Sequence, residues 1–414
     1  MTSASEHAAV HTSPESPTLL GLEVSMQFAP VRRLDDAALA AVELQLSGPR
    51  GSALESADAL RRAAQMMDQR AEYDDRKFEF SRSEVAASIA GTLPLLVTVD
   101  SQSRVALEAP ASDSPERLIV TVNVADIMNN PHEALGRVQT ARSHGRLIAL
   151  DGVGAELHAA TLLSLIEPDI VITAREFITR TIDFEIGSLA HALAAYVERT
   201  NAVVIAEGID SEAARLSAQT IGATYGLGAL YPPLANPDTL LRENVVPIPN
   251  SPVWSTPASD VGTPYGIVST HAESRRGTKR LLVQMSKTLE SQAVAMGSSM
   301  LVLGTFQRAK HFTPTTAMRW RHMSESIGFA GVYGVGLSHM LDGRIQHAPL
   351  GEDDDLVNEW AVVVLGPHYS ALLSARDRHD NGPDLERTFD FVQTYDRTTV
   401  VQAAHTIMRR FVTA

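Results

Sequence analysis

The side chains in this sequence that could do chemistry are mostly carboxylates and imidazoles. Among 414 residues there are 49 acidic side chains and 14 histidines, and no cysteine. Carboxylates can hold hard divalent cations or move protons. The lack of cysteine removes disulfides, thiolate nucleophiles, Cys-ligated zinc and iron–sulfur clusters from consideration. In the C-terminal third, His311, His322, His339, His347 and His368 lack the i, i+4 pairing of a helical metal site, so no metal is assigned to them. Phe306, His311, Phe312 and Trp320 fall in a loop and the helix after it. They could line a small-molecule pocket, but ordinary core and loop packing is the preferred reading. Arg275, Arg276, Lys279 and Arg280 read as a solvated helix start, and the acidic run 351–356 as a solvated loop. With 35 basic residues against the 49 acids, the net charge of -14 repels nucleic acid and anionic membrane, and neither is expected as a partner.

Two or three domains are expected at this length, and 44% hydrophobic residues suffice for full cores. Residues 1–17 are polar and serine-rich, without a basic start and apolar core, and read as a disordered leader. No apolar run reaches the ~18–20 residues that cross a bilayer, so a cytoplasmic protein is expected. From 18 to 243, apolar runs at 93–99, 117–122, 146–151, 169–172 and 202–208 alternate with helical patterns such as 132–144 and 187–199. Continuous apolar strands separated by helices predict a parallel sheet covered on its faces, either a barrel or a doubly wound sheet. The stretch 244–273 is rich in Pro, Ser and Thr and reads as a linker. Beyond it, 274–414 shows helical patterns at 278–296 and 397–411 and strand-like runs at 300–304, 329–337 and 360–366. That second unit is predicted to be a smaller mixed α/β domain.

Several phrases of the first unit resemble the EAL family, barrel phosphodiesterases that hydrolyse cyclic di-GMP with two divalent cations. PERLIVTVNVADIMNNPHEAL (115–135) is similar to the family's segment with Glu-Ile-Thr-Glu, and RLIALDGVGAELHAATLLSLIEPDIVITAREF (146–177) to its Asp-Asp-Phe-Gly loop and following strand. VVIAEGIDSE (203–212) resembles the Ala-Glu-Gly-Val-Glu phrase, and IGATYGLGALYPPL (221–234) the closing turn. AVELQL (41–46) stands at the signature. The resemblance implies a TIM-like (β/α)8 barrel. Carried over position by position, it implies that Glu43, Asp151 and Glu207 are retained ligands and that Asp210 is a shortened glutamate. Thr98 stands for an asparagine, Thr121 and Val124 for two glutamates, Gly152 for an aspartate, Ile172 for a lysine and Leu227 for a glutamine. Ala29-Pro30 replaces Gln-Pro, and Ser47 replaces an arginine that follows the signature.

Two cations close together need several anionic ligands between them. The surviving carboxylates should hold none, or at most one weak Mg or Mn ion, so a non-catalytic barrel with vestigial carboxylates is expected. The alternatives are residual phosphodiesterase activity with one metal, or a receptor that binds cyclic di-GMP without cleaving it. MLVLGTFQRAKHFTPTTAMRWRHMSESIGFAGVYGVGL (300–337) and WAVVVLGPHYSALLSARD (360–377) resemble the DICT sensory domain. Together the two resemblances imply a signalling scaffold with a sensor that takes a small-molecule ligand. Its output would pass through a protein partner, and by analogy it would form a homodimer.

Overall fold

Short ribbon strands β1 (Thr18–Leu19) and β2 (Leu22–Glu23) precede an antiparallel hairpin of β3 (Ser25–Arg33) and β4 (Leu39–Ser47). The computed structural model describes residues 18–109, 116–155, 159–180, 184–234, 243–249 and 262–411; the expected leader, 1–17, lies outside them. After the hairpin, helices and strands alternate. Helices α1 (Ala57–Met66), α2 (Arg70–Ser81) and α3 (Glu84–Ala90) lead to β5 (Leu95–Asp100), and α4 (Arg104–Leu107) leads to β6 (Arg117–Asn123). Then α5 (Val124–Asn129) and α6 (Pro131–Ser143) lead to β7 (Leu147–Val153), and α7 (Ala159–Ile166) to β8 (Ile170–Thr173). Finally α8 (Arg175–Thr179) and α9 (Phe184–Thr200) lead to β9 (Val203–Glu207), and α10 (Glu212–Thr220) to β10 (Tyr225–Leu227). Strands β3 to β10 close into a barrel in sequence order, in which only β3 runs antiparallel to its neighbours. Of the two α/β arrangements the apolar runs allowed, the chain adopts the barrel.

The period-2 geometry of a strand explains what fills it. Leu96, Ile119, Ala149, Ile170, Val203, Ile205 and Tyr225 point inward and form an apolar floor. Two residues further along β5, β7 and β9, the same inward face carries Thr98, Asp151 and Glu207. The floor is sealed from below by a segment expected to be linker. Residues 244–248 run beside β4, with Val246 N and Ile248 N donating to Leu39 O and Ala40 O, and Ile248 joins the barrel's inner core. The rest of the expected linker is not uniform either. Residues 250–261 lie outside the described residues, while α11 (Pro264–Ser269) is a buried helix of the second unit, capped by Thr263.

The second unit continues with β11 (Arg275–Thr278), α12 (Lys279–Met296), β12 (Leu301–Arg308), α13 (Pro314–Ser324), β13 (Phe329–Val335), β14 (Met340–Asp342), β15 (Ile345–Leu350), β16 (Glu359–Leu365), β17 (Ser370–Asp377), β18 (Thr388–Thr394) and α14 (Arg397–Met408). Its strands form one mixed sheet in the order β11-β18-β17-β16-β12-β13-β15-β14. The basic cluster is therefore not all helix start, because Arg275 and Arg276 belong to edge strand β11, paired with β18. The acidic run is tied down as well, through Asp354 to Arg410 and Glu352 to Arg308. Alternating residues split the sheet's two faces: Val302, Val332, Val362 and Leu373 meet α12 and α13, whereas Leu303, Tyr333, Val363 and Leu372 face the side of α11 and α14.

Helix α14 is also where the second unit meets the barrel. Every residue of α7 (AATLLSLI) is buried, the expectation for a helix apolar all round. One side of it packs on the barrel, and the other is covered by α14 and β16. His405 Nε2 on α14 donates to Leu165 O at 2.8 Å. Just past α7, the fully buried Glu167 receives Arg199 at 2.6 and 2.8 Å and, from the second unit, Arg397 at 2.7 Å. Removing one partner of such a buried pair leaves uncompensated charge, typically a loss of ~3–5 kcal/mol. Glu167→Ala is therefore expected to lower unfolding stability by about that amount, measured by urea denaturation. Breaking the more exposed Arg321–Asp342 pair with Arg321→Ala should cost at most ~1 kcal/mol. Equal effects of the two substitutions would refute a structural role for Glu167.

Candidate functional site

In barrels of parallel strands, working groups gather at the strands' C-terminal ends. Here that rim carries Asp100 on β5, Asn123 on β6, Asp151 on β7 and Glu207 on β9, with Glu43 inward-facing on β4. Asn123 stands opposite Asp151, and Leu227 opposite Glu207, in the parallel registers. The barrel thus places three of the sequence-expected carboxylates, Glu43, Asp151 and Glu207, around one mouth.

Each of the three is engaged. Glu43 Oε1 accepts the Thr98 hydroxyl at 2.9 Å, and its Oε2 accepts Gln45 Nε2 at 2.8 Å. Lys77 Nζ stands 3.9 Å from Glu43 and donates to Thr98 Oγ1 at 2.6 Å and Thr98 O at 3.0 Å. The Arg61 guanidinium spans both oxygens of Glu207, at 3.2 and 3.4 Å. Asp151 accepts the Gly152 amide at 2.7 Å. Burial raises the Asp151 carboxyl against the opposing pull of Arg61, and burial raises Glu207 to about 7 despite the same guanidinium. For Arg61 the charge of Glu207 is the largest influence, followed by the penalty of burial and then the charges of Asp151 and Glu43. Desolvation lowers Lys77, while Glu43 and Asp74 hold it up. The fourth carboxylate, Asp210, lies apart on the rim, accepting the Ala229 amide and Arg175.

The other expected positions hold no charge at the mouth. Thr121 Oγ1 donates to Val99 O at 3.0 Å, Val124 is a buried first residue of α5, and Ile172 and Leu227 pack with the apolar floor. Gly152 adopts φ +73, a left-handed conformation that favours glycine over the β-carbon-bearing residue expected there. Ala29 pairs opposite Glu43 on β3, and Ser47 shares a 3.0 Å hydroxyl contact with Ser25. Among the described residues no three His, Asp or Glu side chains converge as a metal-binding group.

The cations Arg61 and Lys77 were not singled out by the sequence. Both lie on helices between β4 and β5, outside any recognisable phrase. One signal was available for Lys77: in α2, Tyr73, Asp74, Lys77 and Ser81 recur at i, i+1, i+4 and i+8 and are the buried stripe. Charges on a buried stripe need partners. In the second unit, the rings of Phe306, Phe312 and Trp320 meet edge to face, with centroids 4.9, 5.5 and 6.3 Å apart. His311 stands beside them but turns its Nδ1 to Phe306 O at 3.1 Å.

Comparison with known proteins gives these features a context. Residues 18–233 match the EAL domain family, and residues 268–378 match DICT, a sensory domain in diguanylate cyclases and two-component systems. Similar solved structures include PaMucR phosphodiesterase in its c-di-GMP complex, 16% identical with TM-score 0.41, covering 52% of this chain and 94% of that one. Klebsiella pneumoniae BlrP1, a calcium and cy-diGMP complex, is 18% identical with TM-score 0.42; the match covers 54% of this chain and 58%, less than two thirds, of that one. The Xanthomonas citri FimX EAL domain with c-diGMP is 18% identical with TM-score 0.40, covering 51% and 89%. No curated protein matches the chain.

Asp74 supplies a test of the buried charges beneath the mouth. It accepts the Asp100 amide at 2.8 Å, and burial pushes its carboxyl up to about 7. A carboxyl with a raised folded-state pKa holds its proton more tightly folded than unfolded. Its stabilising contribution is complete below the unfolded value of ~4 and is lost as pH rises through about 7. Asp74→Asn, permanently neutral, should therefore gain in melting temperature relative to the wild type between pH 5 and pH 8. A difference that stays constant across that range would show that Asp74 does not titrate there.

Proposed function

The chain belongs to the EAL family and joins that domain to a DICT sensor, and from this premise we propose that the barrel is a non-catalytic signalling scaffold. The observation that carries the reading is the pair of protein cations at the mouth. Arg61 bridges both oxygens of Glu207, and Lys77 stands 3.9 Å from Glu43, donating to the Thr98 hydroxyl that itself donates to Glu43. A divalent ion ~4 Å from either cation would meet roughly 8 kcal/mol of repulsion at an effective dielectric constant of about 20. Both oxygens of Glu43 and of Glu207, and Oδ1 of Asp151, already accept hydrogen bonds. The residues present therefore do not fit the pair of divalent cations that the family resemblance implies, and no hydrolytic step is derived through them.

Nucleotide binding fares no better. Ala29, Ser47 and Leu227 offer neither charge nor amide at the positions where the family resemblance implies ligand contacts. Arg61, Arg70 and Arg175, the arginines near the rim, are paired with Glu207, Asp100 and Asp210. What the molecule does offer is a sensor seated firmly on a barrel, through α14, α7 and the Glu167 clamp, so that a change in one unit reaches the other. In this reading the output is a contact with a protein partner made by the assembled surface.

The full-length protein, incubated with cyclic di-GMP and magnesium or manganese, is expected to release no linear product, and calorimetric titration with the nucleotide is expected to give no saturable heat. The intact chain is the right material, because a truncated barrel would expose α7. Turnover that disappears in Glu207→Ala would overturn the scaffold reading in favour of an enzyme. Saturable binding without turnover would make the barrel a receptor.

A further inference from the structure

Among the buried ring nitrogens of the described sensor residues, Trp320 Nε1 and His347 Nε2 lack a hydrogen-bond partner, and the same ring stands against both side chains. Trp320, fully buried on α13, packs on Gly304, where a β-carbon would come within 2.7 Å of the indole; its Nε1 is unpartnered. His347 on β15 is buried too, and its Nε2 is unpartnered. The neighbouring carboxylate of Asp342 is 4.0 Å away and already held by Arg321 at 2.8 and 3.0 Å. Between the two side chains stands Phe312, 6.3 Å from the Trp320 ring and 5.5 Å from His347 by ring centroids. Buried polar groups without partners are uncommon and call for an explanation.

The backbone nearby is strained. Gln307, on β12 next to Phe306, has φ +56, and the β12–β13 register shifts between Thr305 and Arg308. Strain of this kind gathers where ligands are clamped. Phe312 itself is only half-buried, on the loop between β12 and α13, so it is the one ring of the cluster on a connecting segment.

We propose that this cluster is a binding site for a small neutral aromatic molecule carrying an oxygen acceptor, and that Phe312 occupies the place its ring takes. The chemistry of the walls sets the class. The Trp320 N–H can only donate, so the ligand must accept. Phe306 and Trp320 offer edge-to-face contacts that suit an aromatic ring. The ion pair at the edge, Arg321–Asp342, is closed on itself and leaves no free charge for an ionic ligand. Strand alternation ties the site to the barrel: Gln346, the neighbour of His347, faces the other way and donates to Met128 O on α5 at 3.2 Å. The assignment rests on the sensory reading of this unit. Its test leaves the barrel mouth untouched, so either reading can fail alone.

The test is calorimetric titration of the full-length chain with phenol, with toluene as the acceptor-free control. Wild type should bind phenol saturably and prefer it to toluene by about tenfold, the worth of one buried hydrogen bond. Phe312→Ala, which vacates the ring's place, should bind phenol about tenfold more tightly with the same preference. Trp320→Phe, introduced into the wild type and into Phe312→Ala, should abolish the preference while leaving the circular dichroism unchanged. Either of two results overturns the proposal: no saturable heat in both wild type and Phe312→Ala, as expected if ordered water satisfies the two nitrogens, or a phenol preference that survives Trp320→Phe.

Discussion

Glu167 joins the two halves of this molecule through one desolvated charge. It follows α7 in a left-handed conformation, φ +50, with Pro168 next in the chain. Its carboxylate draws Arg199 from the barrel and Arg397 from the sensor into the same buried spot. The two arginines extend the contact, donating to Pro367 O and Gly366 O in the turn between β16 and β17. A buried ion pair of this kind adds little net stability over an apolar replacement, but it tolerates few alternative geometries. Sensor and barrel meet through this shared charge and through the apolar contacts of α14 on α7.

The barrel mouth applies the same chemistry differently. Carboxylates that converge at strand ends repel one another unless a cation stands between them. In this chain Arg61 and Lys77, anchored on α1 and α2, are those cations. Both are covalently attached, one on each helix, and set two positive charges against the three carboxylates Glu43, Asp151 and Glu207. Below them, the apolar floor and the Ile248 plug supply the stability that lets a ring of charges persist above.

How much of this could be read from the sequence depends on the range of the interactions. The alternation of apolar runs with helical patterns is local, and it named β5 to β9 of the barrel to within a few residues, but not β3, β4 or β10. Glu43, Asp151 and Glu207 were legible because each sits in a recognisable phrase on a barrel strand. Lys77 and Arg61 were not, because what matters about them is which carboxylate they reach across the fold, and neither spacing nor composition records that. The stretch after Glu243 misled for a related reason. Its prolines and serines suggest a linker, yet Val246 and Ile248 hydrogen-bond along β4 and Ile248 fills the barrel's base, a long-range contact that outweighs local composition. Among the aromatic residues, proximity was legible for Phe306, Phe312 and Trp320, but the orientation of His311 toward a backbone carbonyl was not, and His347 entered only through the fold.

The burial of α7 on all sides has a consequence for how such a protein can change over generations. A helix that shows apolar residues to both units belongs to both cores at once. The two units are then not beads on a string to be recombined at the proline-rich stretch. A transplanted sensor would have to bring its own version of α14, with His405 and Arg397 in place to meet Leu165 and Glu167. Substitutions on either side of that seam are thus constrained by the other side, and the pair must drift together.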